Sequence, residues 1–148
     1  MDADHAGNKV TRQSHTGILI NLSCSPIIWY SKVQSAVESL TFGSEFVAMR
    51  IMVEILEAIR YKLRMLGIPI DEPSNVFCDN KVFVTNLTIP TSTLKKKHNG
   101  IAYHRVREAV AAGIQRKTKV HTSENLADLL TKPLSGMSLC NLIQRILW

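Results

Sequence analysis

SNVFCDNKVFV, residues 74–84, is a short apolar run that stops at an acid and then resumes. Val76, Phe77 and Cys78 suit a buried strand, and Asp79 and Asn80 follow at once. Ligand sites in open α/β sheets gather at such strand ends. Asp79 is equally suited to an Asx turn or a helix N-cap.

On the N-terminal side, Glu45 to Leu66 repeats apolar residues at helical spacing, with a stripe of Met49, Met52, Leu56, Ile59, Leu63 and Leu66. Ser44 is a fitting N-cap, and Gly67 with Pro69 a fitting stop. Further upstream, TGILINL (16–22) and PIIWYS (26–31) read as adjacent strands, with SCS as the turn between them. Downstream, a short helix is expected after Asp79, ended by TIPTST (88–93). A helix from Asn99 to Ala112, closed by Gly113, buries Ile101, Tyr103, Val106 and Val110 and leaves His104, Arg105, Arg107 and Glu108 outward. RKTKVH (116–121) is a further strand candidate, Ser123 caps a short helix through Thr131, and residues 137–148 form a last helix with Met137, Leu142, Ile143, Ile146 and Leu147 available for packing. The alternation of strands and helices gives an α/β class.

The 148 residues suffice for one domain with a real core, and 45% hydrophobic with 20% charged residues is a globular composition. A formal charge of +6 suits a polyanionic partner. Cys24, Cys78 and Cys140 form neither a disulfide framework nor a zinc spacing, which points to a reducing compartment. The start, MDADHAGNKVTRQ, is no signal peptide, and the apolar stretch Ile18 to Trp29 is broken by Asn21, Ser23, Ser25 and Pro26, so no membrane span is expected.

Four acids stand where acids are costly. Glu45 projects with Met49, Met52, Leu56 and Leu63, whereas Glu54 and Glu57 fall off that stripe. A glutamate on a buried face needs a partner or a metal, unless it lies in the first helical turn and serves the dipole. Asp79 ends its strand, and Asp128 stands among Leu126, Leu129 and Leu130, where the solvent face of a short helix is the alternative. Asp2 and Asp4 open the chain as an Asp-x-Asp, and either can serve, because a two-residue shift keeps a strand side chain on one face. Carboxylates converging from four elements need a hard cation, which favours magnesium or manganese over zinc.

In order along the chain, DADHAG with TRQSHTG, IIWYSK, TFGSEFVAMR, LRMLGIPI, CDN, KKKHNGIAYHRVREAVAAGI and NLADLLTKPL resemble the ribonuclease H domain of copia-type retrotransposon polyproteins. The resemblance covers about residues 2 to 134. His5 stands where that family usually has an aromatic residue. The resemblance implies a ribonuclease H-like domain over residues 1–134, with a mixed central β-sheet flanked by helices, and a C-terminal helical extension over 135–148. It places the catalytic, metal-binding acids on Asp2, Glu45, Asp79 and Asp128. Since Asp2 follows only Met1, the first strand is expected to be largely truncated, leaving the sheet without its middle and Asp2 poorly positioned, with folding or activity impaired.

The implied chemistry is hydrolysis of the RNA strand of an RNA/DNA hybrid with two magnesium ions, for which manganese can substitute. Asp2 and Asp79 would anchor the pair of ions, with Glu45 on one and Asp128 on the other. Lys95, Lys96, Lys97, His98, His104, Arg105, Arg107 and Lys119, with Arg116 and Lys117 beside them, are the expected contacts to the hybrid's backbone. His98, His104 and His121 are candidates for proton transfer. The implied partner is an upstream reverse transcriptase domain, with neither a membrane nor a small-molecule substrate. The implied location is intracellular, either cytoplasmic in a virus-like particle or nuclear. The alternative is a catalytically impaired domain that binds nucleic acid or packs on a polymerase.

Overall fold

The backbone of the hairpin sets the frame. In the computed structural model, which describes residues 1–38, 41–80 and 100–147, β2 (His15–Leu22) and β3 (Ser25–Val33) pair antiparallel across a two-residue turn. Ser23 makes that turn with a left-handed φ of 55°. On the other edge of β2 lies β1 (Asp2–Asp4), with Asp2 opposite Gly17, Ala3 opposite Thr16 and Asp4 opposite His15. The strand is short, as expected, but it is fully paired, and Asp2 is buried. Asp2 is thereby held in place on this short strand, contrary to the expectation that it is poorly positioned.

The second strand pair is β4 (Ser74–Cys78) with β5 (Gln115–Lys119), and it is parallel. Next to β1, the Met1 ammonium donates to the Phe77 carbonyl of β4 at 2.8 Å. Among the described residues, the expected single mixed sheet is realised as a three-stranded antiparallel and a two-stranded parallel sheet. Val76 and Cys78 are buried and Phe77 is half exposed, the alternation of a strand with one covered face.

Helix α1 (Thr41–Met65) packs on β1 and β2 and against α2 (Gly100–Ala111). Phe46, Ala48, Met49, Met52, Val53 and Leu56 join Ile18, Val76, Tyr103, Val106 and Ala109 in the core. The stripe read from the sequence holds as far as Leu56, whereas Leu66 at its end is exposed. Both helices close on a Schellman motif. At Gly67 (φ 77°) the Ile68 amide reaches the Leu63 carbonyl, and at Gly113 (φ 67°) the Ile114 amide reaches the Ala109 carbonyl, both at 3.0 Å. Arg60, buried on the last turns of α1, donates to the carbonyl of Glu72 at 2.9 Å and to the Ser74 hydroxyl at 3.0 Å, fixing the entry to β4.

Several sequence expectations change. The helix begins at Thr41, so Ser44 is not its cap; the Ser44 hydroxyl donates back to the Thr41 carbonyl. On α2, Ile101 is exposed and Ala102 and Ala109 are buried instead, because the contact with α1 falls one position further round. The segment 122–130 is two 3-10 turns, Thr122–Glu124 and Leu126–Leu130, capped by His121 and Asn125 rather than by Ser123. In α3 (Gly136–Leu147) only Leu142 of the expected packing residues is buried. Among the described residues, no helix is long and apolar enough to cross a membrane. The helix expected after Asp79 lies outside the described residues.

Candidate metal centre

Three acids converge from three elements. Asp2 comes from β1, Glu45 from the second turn of α1 and Asp79 from the end of β4, and one carboxylate oxygen of each lies within 4.8 Å of the others. Local structure explains the placement. Buried Gln34 donates through Nε2 to Thr16 Oγ1 and to the Ser44 carbonyl, both at 2.9 Å, so the start of α1 is tied to the strand that pairs with Asp2. The Met1 bond to Phe77 brings the end of β4 to the same point. Asp4 is not in the group: it lies over the turn at Gly7, where a Cβ would meet Asp4 Oδ2 at 1.8 Å.

Glu45 is 3% exposed, and its Oε2 has no hydrogen-bond partner among the described residues. Because α1 begins four residues earlier, Glu45 is not in the first turn, and the dipole reading does not account for it. Burial, then the charges of Asp2 and Asp79, push its carboxyl up to about 8. An orphaned carboxylate oxygen, buried against two further carboxylates, fits a hard divalent cation, and the all-oxygen donor set fits magnesium or manganese.

Asp128 stands apart from this group. It is buried in the Leu126–Leu130 turn, its Oδ2 is 2.8 Å from Lys132 Nζ, and its Oδ1 has no partner among the described residues. Lys132 Nζ is also 3.8 Å from Asp2 Oδ2, the oxygen to which the Thr131 hydroxyl donates at 2.5 Å. Burial raises the Asp128 carboxyl, against the pull of its Lys132 bond. Burial works against the Lys132 ammonium as well, but the Asp128 bond and the charges of Asp2 and Asp128 outweigh it and hold Lys132 above its ordinary value. Neither Lys132 nor Thr131 is among the residues that the sequence singles out for the site, although the four-residue spacing from Asp128 to Lys132 is visible there.

Of the expected nucleic-acid contacts, His104 and Lys119 are exposed. Arg105 pairs with Glu57 and with Glu108, and Arg107 donates to the Tyr103 hydroxyl at 2.8 Å while lying over that ring. Lys95, Lys96, Lys97 and His98 lie outside the described residues. Lys117 is not on a solvated basic face: β5 turns it inward beside Cys78, and burial lowers its amine to about 7. Arg116 donates to Asn75 Oδ1 at 2.8 Å. His121 uses Nδ1 to cap its turn, accepting from the Ser123 amide at 3.3 Å.

No family model matches the chain, and no solved structure matches it. The chain is 34% identical over 145 residues to the retrovirus-related Pol polyprotein from transposon RE1 of Arabidopsis thaliana, and 33% identical over 145 residues to that from transposon RE2 of the same plant. It is 33% identical over 141 residues to the retrovirus-related Pol polyprotein from transposon TNT 1-94 of Nicotiana tabacum. These matches cover 94–98% of the chain, which spans 10% of each polyprotein. Over nearly its whole length, then, the chain is related to a segment of the retrovirus-related Pol polyproteins of plant transposons.

Proposed function

We propose that the chain is a ribonuclease H-like domain of a copia-type retrotransposon polyprotein, hydrolysing the RNA strand of RNA/DNA hybrids with the help of divalent metal. The observation that carries this reading is the Asp2–Glu45–Asp79 cluster with its orphaned Glu45 oxygen. Relatedness to Pol polyproteins and the ordered sequence blocks support it.

In this reading Asp2, Glu45 and Asp79 hold a magnesium or manganese ion, and Asp128, joined to Asp2 through Lys132, would help hold a second. Bound metal supplies activation of water and relief of charge on the leaving oxygen. The chain's own residues prepare the site. Thr131 fixes one oxygen of Asp2, Gln34 fixes the turn that carries Glu45, and Lys132 neutralises the Asp2–Asp128 edge. His104, Arg105, Arg107 and Lys119 lie on α2 and β5, from which they would meet phosphates of the hybrid. The natural partner is a reverse transcriptase domain of the same polyprotein, in a virus-like particle or in the nucleus.

A second reading is favoured by the tie of Asp128 to Lys132, which leaves the four-acid set divided. That reading is a domain that binds nucleic acid without cutting it. Incubating the full chain and Asp79→Asn with labelled hybrid, duplex RNA and duplex DNA, with and without Mg2+, separates the two. Magnesium-dependent cutting of the hybrid alone, abolished in Asp79→Asn, supports the nuclease. Binding of hybrid without cutting overturns it.

A further inference from the structure

Lys132 stands at the edge of the acid cluster formed by Asp2 and Asp128. Asp2 belongs to two arrangements at once, the cluster with Glu45 and Asp79 and a bridge in which Lys132 Nζ stands 3.8 Å from Asp2 Oδ2 and 2.8 Å from Asp128 Oδ2. Asp128 Oδ1 is buried and without a partner among the described residues, so the bridge leaves one anionic oxygen unsatisfied. Two buried carboxylates flanking a single monovalent group also present the donors that a divalent ion would take. The ammonium neutralises only part of that charge.

Lysine is suited to such a post. Its charge is compact and sits on a flexible four-carbon stem, so it can leave without moving the backbone that carries it. The side chain is one-third exposed, which gives the ammonium a way out to water. Thr131 and Asp128 stay anchored meanwhile, Thr131 by its bond to Asp2 and Asp128 by backbone bonds within its turn.

We propose that Lys132 is a built-in counter-ion at the Asp2–Asp128 edge, so that divalent ions bind in order. The first enters the Asp2–Glu45–Asp79 cluster, and a second reaches Asp2 and Asp128 only by displacing the Lys132 ammonium. Lys132 is thus a positioning residue that makes the two ions unequal. The inference rests on the metal reading above and deepens it.

Counting bound Mn2+ by electron paramagnetic resonance on the full chain tests it without any activity measurement. The wild type binds one ion tightly and a second more weakly. Lys132→Gln and Lys132→Met each tighten the second ion by roughly tenfold or more, as expected for removing a neighbouring positive charge. Lys132→Arg, which keeps the charge, behaves as the wild type. An unchanged or weakened second ion in both neutral variants overturns the proposal, as does tightening in Lys132→Arg. Glu45→Gln separates this from the underlying reading. If that variant keeps the tight ion, the acid cluster is not the metal site. If it loses the tight ion while the Lys132 variants leave the weak one unmoved, the role of Lys132 alone is overturned.

Discussion

Gly17 faces Asp2 across the β1–β2 ladder, and the space its side chain lacks is filled by the segment that carries Asp128. A Cβ on Gly17 would lie 2.5 Å from Thr131 Cγ2, 2.7 Å from the Ala127 carbonyl oxygen and 3.0 Å from Leu130 Cβ. The carbonyl belongs to backbone and cannot swing away. Gly17→Ala is therefore expected to destabilise the fold by about 1–3 kcal/mol, the usual range for overpacking. It is also expected to loosen the Thr131–Asp2 bond and weaken Mn2+ binding. Urea melts and Mn2+ titration check both; an unchanged melt would show that the segment rests only loosely on β2.

Glu45 makes the metal-free protein sensitive to pH. Its carboxyl titrates near 8 when folded against an ordinary 4.5, so between those values the folded state holds the extra proton. Stability is then greatest at the acid end of this window and falls as pH rises through about 8. Other groups titrate here as well, so the contribution of Glu45 is the difference between wild type and Glu45→Gln. Denaturant midpoints at pH 5 and pH 8.5 are expected to fall in the wild type relative to the variant. Millimolar Mg2+ should cancel that fall for the wild type alone.

Lys117 acts with the opposite sign. Its amine is lowered by burial from 10.5 to about 7, with Cys78 opposing, so the unfolded chain binds the extra proton between those values. Stability should rise as pH is raised from about 7 towards 10.5. Lys117→Met is expected to stabilise the protein at pH 6 by on the order of 1 kcal/mol or more, and to flatten this slope. Thermal melts across pH 6–10 measure it, and a destabilised variant with the slope intact would refute the assignment.

The Met1 ammonium is buried between the sheets, and burial lowers it below its ordinary 8.0 although the nearby acids oppose. A cleft of about 630 Å³ lined by Met1, Leu19, Ile20, Asn75, Val76 and Phe77 lies beside it, between β2 and β4. Adding about eight residues before Met1, on the usual length of a strand, is expected to replace the ammonium with a peptide and to extend β1 into that cleft. Hydrogen exchange at Leu19, Ile20 and Val76 should slow, and the denaturant midpoint should rise. No change in either would show that the added residues do not pair.

Glu45 was legible in the sequence because its helical phase set it on an apolar stripe, and Asp79 because it ended an apolar strand. Alternation alone left Asp2 and Asp4 equivalent. The turn that follows β1, where Ala6 takes φ 52°, draws Asp4 over Gly7 and leaves Asp2 in the cluster. Asp128 was legible as an acid among leucines with Lys132 four residues on, but the meeting of Lys132 with Asp2 was not. That meeting depends on the Leu126–Leu130 turn lying against β2 at Gly17. The basic residues were the least legible. Whether β5 turns Lys117 or Arg116 inward is set by its register with β4, Val76 opposite Lys117, and no local pattern encodes it. Arg105 similarly meets Glu57 only because α2 lies along α1.

The Thr131–Asp2 hydrogen bond joins residues 129 positions apart. Closing so long a loop is among the slower steps open to a folding chain. On the ribosome, β1 and the hairpin emerge early, yet the far edge of the acid cluster cannot close until residues 126–132 have left the exit tunnel. The site is therefore completed at the end of the domain's synthesis, and a nascent chain stalled before Asp128 would carry three of its acids without Thr131 or Lys132 beside them.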